Sequence, residues 1–206
     1  NRCSGAPLTT AYLREVRDLA DEHALRVHLD GARIFNAAVA LGEEVSEFME
    51  YVDSMSFCLS KGLGAPVGSL LAGPAELMQR AWRVRRRLGG GMRQSGILAA
   101  AGLYALKHHR ERLVEDHRRA KVLARGAEGI EGLRVQRPDT NIVMLDIDAP
   151  GVTPEVILAF LVERGVLMVP FGPRRIRAVT HMDVDDDGIQ RALGALTLAM
   201  RSLARA

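Results

Sequence analysis

Aromatic side chains make up only 4% of this 206-residue chain, and cysteine occurs twice, as Cys3 and Cys58. So few aromatics leave no stacking platform for single-stranded nucleic acid. The two cysteines have no metal-ligand spacing and read as free thiols of a reducing, cytoplasmic environment. No apolar run approaches the ~20 residues of a membrane span. The opening residues, Asn-Arg-Cys-Ser-Gly, form no hydrophobic leader. The net charge of +3 is too small to point to an acidic partner. Nucleotide and hydrolase signatures are missing too. No lysine follows Gly-x-x-x-x-Gly, so there is no Walker A loop. Gly62-x-Gly64 has Val67 where a dinucleotide fold needs glycine, and no Gly-x-Ser-x-Gly elbow occurs. The chain also lacks an initiator methionine, so an upstream part is expected.

What is present is an ordinary globular composition, 48% hydrophobic and 26% charged, with length for one large or two small domains. Leu13, Val16, Leu19 and Ala20 recur at helical spacing within residues 8–23. A strand is predicted at 25–30, ending on Asp30, then a loop passing into a small-residue helix that stops at Gly42. Further extended segments fall at 51–59, which includes Cys58 and reads as buried, and at 67–72. A helix over about 74–87 leads to Gly89-Gly90-Gly91, and residues 92–126 read as long helical material. Beyond about 130 come strands at 133–136, 141–147, 166–171 and 175–181. Between the second and third of these, Thr153-Pro154 opens a helix, and a last helix runs from about 185 to the end. The expected class is α/β, with an alternating β/α part over 1–112 and a smaller α+β domain over 113–206, bridged by the 92–126 helix.

The chemistry concentrates at two strand ends. Asp30-Gly31 ends one predicted strand, and Ser60-Lys61-Gly62-Leu63-Gly64 follows the next. Open α/β sheets bind ligands at the carboxyl edge, and burial of an amine there favours its neutral, nucleophilic form. An acid and an amine at that edge suit pyridoxal phosphate (PLP): the amine bonds the aldehyde, and the carboxylate keeps the pyridine nitrogen protonated. For Asp30 alone, a loop-capping role before glycine is the competing reading. Arg33, three residues on, has the planar fork that grips a carboxylate, or is a surface arginine at a helix start. Gly89-Gly90-Gly91-Met92-Arg93-Gln94 is a second glycine-rich turn able to offer N–H groups to an anion. Arg80, Arg83, Arg85, Arg86, Arg87 and Arg93 form a basic run that could meet nucleic acid. With only Trp82 among them, it reads instead as a solvated or subunit-contacting helix. His108, His109 and His117 lie in charged helical sequence and read as a solvated face rather than a metal site.

Four stretches together resemble one family. His28-Leu29-Asp30-Gly31-Ala32-Arg33-Ile34-Phe35-Asn36-Ala37, Ser60 through Gly68, Gly89 through Gln94, and Val179-Thr180-His181 are similar to the low-specificity L-threonine aldolases. These are fold-type-I PLP enzymes of the aromatic amino-acid β-eliminating lyase/threonine aldolase group. The resemblance covers essentially the whole chain. It implies Lys61 as the Schiff-base lysine, Asp30 as the partner of the pyridine nitrogen, and Arg33 as a contact to cofactor and substrate carboxylate. It also implies Arg177 as a substrate-carboxylate ligand, with Ser60 and Arg93 on the cofactor side. The implied fold is the carboxyl-terminal half of the PLP-binding large domain followed by the small domain. Family members carry well over a hundred further residues upstream, holding the phosphate loop and two active-site histidines.

The activity so implied is cleavage of L-threonine, L-allo-threonine and other β-hydroxy amino acids to glycine and an aldehyde. The general base is a water or a histidine outside this chain, and the chain by itself is expected to be inactive. No metal, nucleic acid or membrane is expected as a partner. A cytoplasmic homodimer or homotetramer with its active site at the subunit interface is. Two alternatives stand beside this reading: a β-eliminating lyase or racemase of the same fold, and a non-catalytic basic interaction module.

Overall fold

The computed structural model describes residues 3–203; the last three residues of the predicted terminal helix lie outside the described residues. The chain divides into two compact units, one over Pro7–Leu113 and one running from Val114 onward together with the residues up to Ala6.

In the Pro7–Leu113 unit, α1 (Thr10–Glu22) starts where the Thr9 hydroxyl accepts the Tyr12 N–H, satisfying one orphan donor of the first turn. Its Leu13 and Ala20 turn inward. Strand β1 (His28–Asp30) lies parallel to β2 (Ser54–Cys58), with Asp30 opposite Ser56. Parallel neighbours need a crossover connection, and α2 (Ile34–Leu41) with α3 (Val45–Met49) provide it. Gly42 ends α2 in the left-handed conformation at φ 71°, which glycine adopts without strain. α3 carries no glycine or proline signal; the paired Glu44 and Glu47 side chains cap its first turn. Strand β3 (Ser69–Ala72) runs antiparallel to β2. Ile34, Phe35 and Ala38 of α2 pack with Leu13, Phe48, Met55, Leu59 and Leu63 to form the core. Asp53, just before β2, takes the Val27 N–H at 2.8 Å and ion pairs from Arg26 and Arg17 at 2.7 and 2.9 Å. The Val27 N–H, then the two guanidiniums, hold its carboxyl down at about 2. α4 (Ala75–Arg87) buries no residue, and α5 (Gly96–His108) buries only Gly102 and Ala105.

The second unit is built on α6 (Leu113–Glu128), which begins on the residue that closes the first. β4 (Leu133–Gln136), β5 (Ile142–Ile147), β6 (Val169–Pro170) and β7 (Arg175–Val179) form an antiparallel sheet in the order β4-β5-β7-β6. α7 (Pro154–Val162) and α8 (Asp186–Leu203) pack against it, and Ile157, Leu161, Ile189 and Leu196 meet Val143, Leu145 and Ile176. β7 alternates, with Ile176 and Ala178 buried and Arg175, Arg177 and Val179 half-buried, as expected of a sheet with one packed face.

In its elements and their burial the fold departs from the sequence reading at the 92–126 helix, the 166–171 strand and Cys58. One helix over 92–126 is expected, yet α5 and α6 are separate and broken at 109–112. No glycine or proline marks the break. It follows from side-chain anchors, with His109 bonded to the Leu63 carbonyl and Arg110 reaching Glu44 at 3.2 Å. The 166–171 strand shrinks to Val169–Pro170 at the edge of the sheet, with the Phe171 N–H still bonded to the Arg175 carbonyl at 2.8 Å. Cys58 is half-buried rather than buried.

Candidate active site

Asp30 and Lys61 belong to the carboxyl ends of adjacent parallel strands. Gly31 closes the first loop tightly onto β2, its N–H bonding the Ser56 carbonyl at 2.8 Å. A Cβ at Gly31 would stand 3.0 Å from that oxygen and 3.1 Å from the Met55 side chain, so only glycine fits without displacement. The Asp30 carboxylate accepts the Ala32 N–H at 3.2 Å, the loop-capping bond, and its side chain is otherwise exposed. Arg33 stands at the N-cap of α2, half-buried, three residues past Asp30 on the same loop.

The lysine loop is a compact turn. The Gly64 N–H bonds the Lys61 carbonyl at 2.8 Å, the Ala65 N–H bonds Leu59 at 3.0 Å, and the Leu59 N–H bonds Gly68 at 2.9 Å. Gly64 takes φ 68° to close it. Leu63 and Ala65 are buried beneath, while Ser60 and Lys61 are exposed on top. The desolvated amine expected from the sequence is therefore not met here. The loop buries its inner face, and no described residue of this unit covers the lysine.

Arg93 lies exposed in the turn leading to α5. The basic run around it is partly committed: Arg85 donates to the Gly90 carbonyl at 2.7 Å, and Arg86 lies over the Trp82 ring at 5.1 Å. Arg177 belongs to the second unit, at the centre of β7. Its guanidinium lies 5.2 Å from the Phe171 ring, and its buried Nε has no hydrogen-bond partner. An unpaired buried guanidinium nitrogen is costly, and an anionic ligand would satisfy it.

Several buried polar groups differ from the sequence reading: of the histidines expected on a solvated helix face, His117 is buried and His109 half-buried, because their side chains turn towards packed neighbours rather than solvent. Asn141 and Thr180 lock the ends of β5 and β7, through Asn141 Nδ2 to the Thr180 carbonyl at 2.8 Å and the Thr180 N–H back to Asn141 at 3.0 Å. The Thr180 hydroxyl donates to the Asp116 carbonyl at 2.6 Å. Thr180 stands in the Val179-Thr180-His181 stretch, whereas Asn141 is signalled only by a polar Thr140-Asn141 pair ahead of an apolar run. His117 is buried, and that burial pushes its imidazole down to about 4, so it stays neutral near pH 7. Among the described residues no group of histidine, cysteine and carboxylate side chains is placed to hold a metal ion.

A parallel strand pair with an antiparallel third strand, followed by a four-stranded antiparallel unit, has the fold of the fold-type-I PLP enzymes. The threonine aldolase of Leishmania major superposes with a TM-score of 0.75 at 18% identity, over 96% of this chain and 58% of that one. The α-aminoadipate aminotransferase of Thermus thermophilus, determined in complex with N-(5'-phosphopyridoxyl)-L-leucine, gives 0.64 at 16% identity, over 96% and 55%. The family model for beta-eliminating lyases matches residues 1–150, and the chain belongs to that family. The low specificity L-threonine aldolase of Escherichia coli is 46% identical over 184 residues, 89% of this chain and 54% of its own length. The chain spans about half the length of the curated relatives it matches.

Proposed function

We propose that this chain carries the lysine-bearing half of a PLP-dependent aldolase that splits L-threonine, L-allo-threonine and related β-hydroxy amino acids. The observation that carries this reading is the placement of Asp30 at the carboxyl end of β1 and of Lys61 just past that of the neighbouring parallel β2, with Gly31 seating the Asp30 loop against β2. Pro7–Leu113 is the carboxyl-terminal part of the cofactor domain, and Val114 onward is the small domain. The residues fit the cofactor's ring and aldehyde, and the orphaned Arg177 Nε fits a substrate carboxylate. A phosphate loop and a covering for Lys61 would come from residues beyond this chain.

When bound, PLP supplies an electron sink for the pair left on Cα as the Cα–Cβ bond breaks. Lys61 would hold the cofactor through Nζ, and the Asp30 carboxylate would keep its ring nitrogen protonated. Arg33 and Arg177 fix the substrate carboxylate, which turns the Cα–Cβ bond into the cleavable orientation. Ser60 and Arg93 contact the cofactor side. A base outside this chain takes the β-hydroxyl proton, and Cα gains a proton, so that threonine gives glycine and acetaldehyde.

The further proposal is a cytoplasmic homodimer or homotetramer with its site at the subunit interface. Trp82, Leu88, Met92, Ile97, Leu103 and Tyr104 support it, as large apolar side chains exposed along α4, α5 and the turn between them. Among the described residues no helix is long and apolar enough to cross a membrane.

The test expresses the chain with its upstream coding region, adds PLP, reduces with borohydride and maps the modified lysine. Modification at Lys61 with acetaldehyde release from threonine is expected. Modification elsewhere, or pyruvate and ammonia release instead, overturns the reading. Residues 1–206 alone are expected to show no turnover.

A further inference from the structure

Beneath the exposed Lys61 the loop is held from one side by a residue far along the chain. His109 Nδ1 lies 2.7 Å from the Leu63 carbonyl oxygen, two residues past the lysine. A carbonyl only accepts, so Nδ1 carries the proton in this contact. The ring itself is fixed: its backbone N–H closes α5 on Ala105 at 2.9 Å, and Tyr104 meets it edge-on at 5.4 Å between centroids. The neighbouring residue is tied as well, with Arg110 on Glu44 and over the Phe35 ring.

The rest of the loop's underside leaves little room for play. A Cβ at Gly62 would stand 2.9 Å from Leu113 Cδ2 and 3.1 Å from Asn36 Oδ1. Asn36, Leu63 and Leu113 are all buried. Lys61 thus sits on a turn seated against Asn36 and Leu113 and fastened at Leu63 by His109. The fastening lies at the first residue of the 109–112 break.

Resting on the reading of Lys61 as the cofactor lysine, we infer that His109 is a positioning residue that holds the Lys61 loop in the conformation that presents the amine. Without the bond, the Leu63 carbonyl stays half-buried and unpaired, and the turn samples conformations that misplace Nζ.

Asparagine carries an N–H donor at the same distance from the backbone as His Nδ1, whereas leucine keeps bulk without a donor and glutamine sets the donor one carbon farther out. Wild type, H109L, H109Q and H109N are made with the upstream coding region, and hydrogen exchange is followed in the cofactor-free protein. In H109L and H109Q the Gly64 and Ala65 amides are expected to exchange about three- to tenfold faster, as loss of one neutral hydrogen bond predicts. The β1 and α1 amides are expected to stay unchanged, and H109N to stay within about twofold of wild type. On PLP addition, attachment to Lys61, read by visible absorbance and borohydride mapping, should slow by a similar factor and reach the same final extent. Wild-type exchange and attachment rates in both H109L and H109Q would overturn the inference, as would a uniform rise in exchange across Pro7–Leu113. Should borohydride fix PLP to another lysine, the functional reading fails, while the exchange result still decides the role of His109 in the loop.

Discussion

In the unit from Val114 onward, β5 is buried along nearly its whole length, and α6, α7 and α8 close over the sheet. In Pro7–Leu113, the strand that carries Asp30 is exposed at both ends, β3 is largely open, and α4 buries nothing. Parallel strands are ordinarily covered on both faces, and here the parallel pair is the open one. Within this chain, the residues proposed for the site therefore sit mainly in the less completely packed unit, and the larger buried core lies in the other. The proposed chemistry and the densest packing are partitioned along these residues.

That partition can be broken most sharply at Lys61. In the protein made with its upstream region, Lys61→Ala should abolish borohydride trapping and lower aldol cleavage by ~10³ or more. In residues 1–206, where the side chain is exposed, the same change should move unfolding by less than about 0.5 kcal/mol. A large fall in stability would mean that the two roles are not separate. Leu145→Ala is the converse. It empties a fully buried position in the second unit and should cost about 2–5 kcal/mol by denaturant unfolding, with cofactor attachment at Lys61 retained. Gly31→Ala lies between them. Its methyl meets the Ser56 carbonyl and Met55, so about 1–3 kcal/mol of strain is expected, together with weaker PLP retention on dialysis.

Acid should separate the units by order of failure. His117 is lowered from 6.5 to about 4, so the folded second unit resists protonation. Its stability is complete above pH 6.5 and is lost progressively as pH falls towards 4. Asp53 is lowered from 3.8 to about 2, so its tie in the first unit persists above about pH 4 and fails only towards pH 2. Hydrogen exchange on acidification should therefore loosen β5 and α6 before β2, and His117→Asn should flatten the upper part of that profile. Simultaneous loosening near pH 3 would contradict it.

Much of this was legible in the sequence because it depends on local chemistry. Thr153-Pro154, the 133–136 strand and the Asp30 and Lys61 strand ends all announce themselves through caps, alternation or glycine. What could not be read depends on distant partners. The break at 109–112 is imposed by Leu63 and Glu44, tens of residues away, against good helical sequence. Lys61 looked buried because its flanks are apolar, but those flanks bury the loop's underside and leave the amine on top. The Asn141–Thr180 lock uses polar residues that carry no periodic signature.

Gly5 belongs to the second unit, where the Thr140 hydroxyl donates to its carbonyl at 2.9 Å across 135 positions of sequence. A side chain there would collide with Thr140 and Ile142, and its φ of 82° suits glycine alone. During synthesis this short strap leaves the ribosome long before residues 140–142, on which it docks. Closing so long a loop costs on the order of 4 kcal/mol of chain entropy, more than one buried hydrogen bond returns. The strap is thus the last piece to settle, and Pro7–Leu113 must find its fold with its own upstream end still loose.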